Sequence, residues 1–205
     1  MSALSRPIGL GLAARGDLDD VVDWSRRAHD AGLDSVWIHD SYFERDAITF
    51  GTVVADAIAR DGGDEGFRVA LGAVNPFTRH PIVLAMTGSA LDEVLPGRIV
   101  MGLATGLPLR LKQMGIPYEL EAAVDRVSQT MDELRRLWAG ERLPSATPGL
   151  PPIQPMFPPT HRIPLVMAAN RREFLELAGR KADGDRKSTR LNSSHFVPSR
   201  MPSSA

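Results

Sequence analysis

The stretch Leu71-Gly-Ala-Val-Asn-Pro-Phe-Thr-Arg-His-Pro81 is the most informative part of the chain, because an apolar strand ends in it and a helix begins. Asn75-Pro76 ends the strand, and Pro81 suits the first turn of a helix, where a backbone N–H has no helical partner in any case. The residues from Leu91 to Gly106 continue as helix end, turn, strand and glycine-bearing loop. Together they predict a βαβ unit with unusual residues at its strand ends.

The same alternation runs through most of the chain. Strands are predicted at 8–12, 35–39, 67–74, 98–104 and 163–168. Helices are predicted from a cap at Asp17 to Gly32 and at about 49–59, 81–95, 120–139 and 171–182. Because parallel neighbours need a crossover and a helix supplies it, this order predicts an α/β fold with a parallel sheet. A doubly wound sheet and a (β/α)8 TIM barrel both fit.

The length favours a partial barrel if the fold is a barrel. A complete one typically takes about 250 residues, and only about the first five βα units fit in residues 1–184, which are predicted to form one domain. Residues 185–205 lack an apolar period and are predicted to be a disordered tail. The segment from Asp185 to His195 matches the translation of a sequencing adapter, so the tail is interpreted as lying outside the fold.

Composition excludes several classes of function. The chain has 24 Lys plus Arg against 25 Asp plus Glu, a balance that gives nucleic acid or an anionic membrane no reason to bind. It contains no cysteine, which excludes disulfides, thiolate metal sites and cysteine nucleophiles. No metal-binding, Walker A or GxSxG motif occurs, and no metal site is predicted. Without a signal peptide or a long apolar run, a cytoplasmic location is expected.

Four predicted strands end in polar residues or glycine. Asp40, Asn75, Gly106 and Asn170 each have a simple structural explanation, as a helix cap or a turn former. In a barrel, however, the carboxyl ends of the strands meet at one face. Together these residues therefore favour a ligand site, with glycine for close backbone approach and fixed polar partners around it.

Several segments resemble the luciferase-like monooxygenase superfamily, and within it the F420-dependent, methylenetetrahydromethanopterin reductase-like branch. Residues 31–40 are similar to its "AGFDSVWxxDH" strand, and residues 75–81 to its "NPYTRHP" segment. Residues 91–98, 101–106 and 175–184 resemble further segments of the family. The resemblance covers residues 8–184 and implies a TIM barrel that binds coenzyme F420, or alternatively FMN, at its strand ends.

The resemblance also implies the site. It places a non-prolyl cis peptide at Gly72–Ala73, beside the cofactor ring, and puts backbone N–H groups at the start of the last helix near the ring edge or an anionic group. The cofactor-binding residues so predicted are Asp40, Gly72, Ala73, Asn75, Gly106, Asn170 and Arg171. Two departures leave the catalytic residues unassigned. Ser41 stands where the branch usually has histidine, and Leu107 stands where some relatives have an acidic residue.

The function implied is hydride transfer between a reduced deazaflavin or flavin and a small organic substrate. One alternative is an FMN-dependent monooxygenase that acts on paired donors and incorporates oxygen. Others are a non-catalytic flavin-binding barrel and a cofactor-free barrel lyase or hydrolase, although no lysine at a strand end offers a Schiff base. The full-length protein is expected to be a homodimer, and the 205-residue chain, as an unclosed barrel, to be inactive.

Overall fold

Strands and helices alternate along the computed structural model, which describes residues 7–62 and 66–186, the last two by their backbone alone. The elements are β1 (Gly9–Ala13), α1 (Leu18–Asp30), β2 (Ser35–His39), α2 (Ala47–Arg60), β3 (Arg68–Val74), α3 (Pro81–Val94), β4 (Ile99–Leu103), α4 (Pro108–Gln113), α5 (Leu120–Trp138), β5 (Leu165–Ala168), α6 (Arg172–Lys181) and β6 (Gly184–Arg186). The five predicted strands and five predicted helices are all present. The short α4 and β6 were not predicted.

All six strands of the described residues form one parallel sheet, in the order β1-β2-β3-β4-β5-β6. Each strand lies beside its neighbour in sequence, as in a barrel. A doubly wound sheet would instead reverse its strand order at a switch point. The order therefore confirms the predicted partial barrel and rules out the alternative for this part of the chain.

The short β6 crosses the predicted boundary between domain and tail. Its backbone pairs with β5, so that Gly184 lies beside Val166 and Arg186 beside Ala168. Residues 187–205, the rest of the predicted tail, lie outside the described residues. The division at residue 184 therefore stays a prediction.

The core lies mainly on the face of the sheet that the helices cover, because the crossover helices of a barrel pack on its outer side. Its strand residues therefore alternate along the chain, as Val36 and Ile38 of β2 do. Every residue of β4 is buried. Met101 of β4 is fully buried, and Leu84 of α3 and Leu134 of α5 are fully buried within the same apolar cluster. No helix within residues 7–62 and 66–186 is long and apolar enough to cross a membrane.

The end of the sheet where the strands begin is fastened by Asp92, in the last turns of α3. Its side chain is only 2% exposed. Its carboxylate accepts hydrogen bonds from the backbone N–H groups of Gly97, Thr160 and His161, each at 3.0 Å. Burial alone would raise the pKa of Asp92, but these donors outweigh burial and lower it. We call these four residues the Asp92 anchor, since they join α3 to the segment that leads into β5.

Candidate functional site

The carboxyl ends of the strands open into a cleft of about 600 Å³. It gathers side chains and backbone from the ends of β2, β3, β4 and β5 because parallel strands all point the same way. Five of the seven predicted site residues line it: Asp40, Gly72, Ala73, Gly106 and Asn170. The structure thus brings together residues that are up to 130 positions apart in the sequence.

The other two predicted residues, Asn75 and Arg171, do not line the cleft. Arg171 is an exposed residue just before α6, and its side chain does not cap the helix. Asn75 is 4% exposed and lies behind the wall of the cleft. Its amide oxygen accepts from the Phe77 N–H at 2.7 Å, and its amide nitrogen donates to the Thr105 carbonyl at 3.2 Å and to the Tyr42 hydroxyl.

The glycine at position 106 makes room for the contact between Asn75 and Tyr42. Gly106 has φ +72°, which other residues rarely adopt. A Cβ atom added there would lie 1.6 Å from the Tyr42 hydroxyl oxygen and 2.4 Å from the Asn75 amide nitrogen. Both the backbone conformation and the available space therefore require glycine.

Gly72 and Ala73, which have no side chain larger than a methyl group, form the wall of the cleft at the end of β3. The peptide bond between Gly72 and Ala73 is cis, as the sequence resemblance implied. The pairing of β3 with β4 shifts register between Leu71 and Val74. On the neighbouring strand, a Cβ atom added at Gly102 would lie 2.9 Å from the Leu71 carbonyl oxygen, so the two backbones approach closely. This wall could lie flat against a ring.

Asp40 is joined to a charged network at one side of the cleft. Its carboxylate forms an ion pair with Arg79, which also contacts Asp46 at 2.7 Å. Burial would lower the pKa of Arg79, but its hydrogen bonds with the two carboxylates raise it instead. Burial would raise the pKa of Asp46, but hydrogen bonds from Thr49 and Arg79 lower it. Arg79 therefore fixes the position of the Asp40 carboxylate.

Several residues that line the cleft were not predicted. They are Arg15, His39, Ser41, Tyr42, Glu44, Ala104, Thr105, Leu107, Arg110, Ala168 and Ala169. Glu44 forms an ion pair with Arg15 at 2.5 Å, while its second carboxylate oxygen is buried and has no hydrogen-bond partner among the described residues. The polar and aromatic composition of residues 40–46 is the signal that could have indicated Tyr42 and Glu44.

No group of three or more metal-ligating side chains occurs in residues 7–62 and 66–186.

A model of the family described as "Luciferase-like monooxygenase" matches residues 1–185. The chain belongs to this family. The resemblance inferred from the sequence segments is thereby confirmed.

Three known proteins illustrate the relationship within the family. The chain is 28% identical over 179 residues to the 5,10-methylenetetrahydromethanopterin reductase of Methanolobus tindarius, covering 85% of this chain and 50% of that protein. The structure of the coenzyme F420 dependent tetrahydromethanopterin reductase from Methanopyrus kandleri matches with a TM-score of 0.70 at 20% identity, covering 87% of this chain and 55% of that one.

The third is the oxygenating constituent of 3,6-diketocamphane monooxygenase from Pseudomonas putida, in complex with FMN. It matches with a TM-score of 0.66 at 17% identity, covering 87% of this chain and 57% of that one. At 20% and 17% identity, the two solved structures show a shared fold and nothing more about this chain. The chain spans about half the length of the curated relatives that it matches.

Proposed function

We propose that this chain is the cofactor-binding part of an oxidoreductase that transfers a hydride between F420 and a small organic substrate. The observation that carries the proposal is the cleft at the strand ends, whose wall at Gly72 and Ala73 has no side chain larger than a methyl group and whose other lining residues include several polar ones. A planar deazaflavin ring needs such a wall, together with fixed hydrogen-bonding groups at its edges. The chain is also 26% identical over 180 residues to the F420-dependent glucose-6-phosphate dehydrogenase of Microbacterium testaceum, covering 81% of this chain and 51% of that protein, and this similarity supports the same cofactor.

The cleft residues fit such a ring. Gly72 and Ala73 would contact one face of it, and the Asp40 carboxylate, held by Arg79, would bind near the ring or its hydroxylated chain. The backbone N–H groups of Asn170 and Arg171, at the start of α6, would bind the ring edge or an anionic group. When bound, the cofactor supplies the hydride chemistry, and these residues orient it and exclude water.

The second candidate is an FMN-dependent monooxygenase that incorporates oxygen. The observation in its favour is that an FMN-bound monooxygenase shares the fold. Both candidates use the same cleft and the same backbone wall, so they differ in the cofactor that binds. The substrate and the turnover belong to the whole protein, for which we also propose a homodimer, a small-molecule substrate and a cytoplasmic location.

Titration of the whole protein with oxidised F420 and with FMN, followed by fluorescence, tests the proposal. We expect F420 to bind about tenfold more tightly than FMN, a difference of about 1.4 kcal/mol. Replacing Ala73 by leucine places a branched side chain against the wall and should weaken F420 binding by about tenfold or more. The matched control is Ala122→Leu on the exposed side of α5, which should leave binding unchanged.

The alternatives give different results in this titration. Preferential binding of FMN would favour the monooxygenase. Binding of neither cofactor would contradict the proposal and favour a cofactor-free barrel. Equal affinities of the Ala73→Leu and Ala122→Leu variants would show that the ligand binds outside the cleft.

A further inference from the structure

The hydrogen bonds of Asn75 determine which way the Tyr42 hydroxyl proton points. The Asn75 amide oxygen accepts from the Phe77 N–H at 2.7 Å, and this fixes the orientation of the amide. Its nitrogen, which can only donate, therefore faces both the Thr105 carbonyl and the Tyr42 hydroxyl. Tyr42 must accept in this contact, so its own proton is left for another acceptor.

The surroundings of Tyr42 direct that proton toward the cleft. Tyr42 lines the cleft, and its hydroxyl oxygen also takes a backbone hydrogen bond from Leu107. Because the Tyr42 hydroxyl oxygen accepts from both Asn75 and Leu107, its own O–H group can donate toward the cleft. Burial is the largest influence on the pKa of Tyr42 and raises it; with smaller contributions from nearby Asp40 and Tyr118, it outweighs the hydrogen bonds from Asn75 and Leu107, which lower it. The hydroxyl is therefore protonated at neutral pH.

Two other side chains of the same loop line the cleft and are weaker candidates for a donor. Glu44 is in an ion pair with Arg15, and a carboxylate in an ion pair accepts hydrogen bonds but has no proton to give. The Ser41 hydroxyl can also donate a hydrogen bond, but it is a much weaker acid than a phenol, whose ordinary pKa is about 10, and so it stabilises negative charge on an acceptor less. Tyr42 is the member of this group whose donor is both oriented and polarised.

We propose that Tyr42 is an oriented hydrogen-bond donor of the cleft, giving its phenolic hydrogen bond to a carbonyl oxygen of the bound molecule, and that Asn75 is its positioning residue. The inference rests on the proposed function, because it needs a ligand in this cleft. A carbonyl oxygen can come from the cofactor ring or from the substrate. In either case a donor held in place by Asn75 stabilises negative charge on that oxygen without reorganising during the reaction.

The Tyr42 ring can be observed directly by NMR. In the whole protein with isotope-labelled tyrosine, the Tyr42 ring resonance at neutral pH is the one that Tyr42→Phe removes and Tyr118→Phe leaves in place. Adding oxidised F420, and then F420 with acetone as the carbonyl probe, should shift it. A shift with F420 alone assigns the acceptor to the cofactor ring, and a further shift that needs acetone assigns it to the substrate.

An isosteric variant tests the role of Asn75. In Asn75→Asp the new carboxylate can only accept, so the Tyr42 proton turns toward it and away from the cleft. The resonance should then move in the free protein and no longer respond to ligand. One of the two probes, F420 alone or F420 with acetone, will be the one that shifts the resonance. The Tyr42→Phe variant should bind that probe about tenfold more weakly than the unchanged protein does. Tyr118→Phe, the same change outside the cleft, should bind it normally.

The results separate the inference from the proposed function. If F420 binds, by fluorescence, and the Tyr42 resonance does not move in either mixture, the inference is wrong while the proposed function stands. If Tyr42→Phe binds both probes as Tyr118→Phe does, the inference is likewise wrong. If neither F420 nor FMN binds, the proposed function fails, and the inference fails with it.

Discussion

Each end of the sheet has an aspartate at its centre, Asp40 at the cleft and Asp92 at the opposite end, and the two aspartates differ in exposure and in their hydrogen-bond partners. At the opening of the cleft, the side chains of Asp40 and Arg79 are 15% and 19% exposed, and neighbouring groups keep unused hydrogen-bonding capacity. At the other end, Asp92 is 2% exposed and accepts from three backbone N–H groups, the Thr160 hydroxyl and the His161 ring. Asp92 thus accepts five hydrogen bonds from groups of the protein itself.

This difference suits the Asp92 end of the sheet to stabilising the fold and the cleft end to binding a ligand. Buried donors and acceptors that are fully paired make a region rigid, and they leave nothing for a ligand. The cleft end instead contains the Tyr42 proton and the second oxygen of Glu44, which has no partner among the described residues. The division agrees with the general behaviour of TIM barrels, in which loops at the strand ends carry the chemistry. Substitutions at the two ends should therefore fail in different ways.

The largest effect is expected at the Asp92 anchor. Replacing Asp92 by alanine leaves the N–H groups of Gly97, Thr160 and His161 without their acceptor inside the protein. We expect the free energy of unfolding to fall by about 3 kcal/mol, because several buried donors lose their partner at once. Chemical denaturation measures it. The matched control, Asp125→Ala on the exposed side of α5, should change stability by less than about 0.5 kcal/mol.

Asp92 should also make the free energy of unfolding depend on pH. Because the pKa of Asp92 is lowered in the folded protein, its contribution is fully present above the unfolded value, about 4, and is lost as the pH falls through the folded value. The variant should therefore lose less stability than the wild type on acidification below about pH 4. If the free energy of unfolding fell equally with decreasing pH in the wild type and in Asp92→Ala, protonation of Asp92 would not be linked to folding in this way.

A smaller effect on stability, combined with one on binding, is expected at Gly106. Gly106→Ala forces a side chain against Tyr42 and Asn75 at a positive φ, and should cost about 2 kcal/mol. It should also weaken F420 binding, since it displaces the Tyr42 hydroxyl. Gly115→Ala is the matched control, because Gly115 has φ +73° and nothing within 4 Å of the added Cβ atom. Equal losses in both variants would mean that the contact with Tyr42 is unimportant.

The fold could be predicted from the sequence because it depends on local patterns. Apolar strands alternate with helices at regular spacing, and the proline at position 81 and the glycines at turns mark their ends. The two elements that were missed are short. β6 has three residues, and α4 has six residues beginning at Pro108. Neither is long enough for a hydrophobic period to appear.

The position of the site could be predicted from the strand ends, but the interactions within it could not. Asn75 was expected to line the pocket, whereas the structure uses it to orient Tyr42, a contact between residues 33 positions apart. Asp40 was expected to bind near the cofactor, and that stays a prediction; its ion pair with Arg79, 39 positions away, was not foreseen. Such pairings depend on how loops of different strands approach each other, and no local pattern encodes that.

The smallest effect is expected from Arg79→Met, which removes the partner of Asp40 and one partner of Asp46 while keeping a long apolar stem. We expect a loss of about 1 kcal/mol, because the pairs are partly exposed and solvent screens them. Asp46 keeps its bonds from Thr49, so its lowered pKa should rise only in part, and the stability that it gives above about pH 4 should shrink without vanishing. The control is Arg60→Met, which breaks an exposed pair with Asp56 within α2 and should cost less than about 0.5 kcal/mol. Weaker F420 binding by Arg79→Met, but not by Arg60→Met, would show that the network positions Asp40 for its ligand, whereas unchanged binding would limit Arg79 to stabilising the loop.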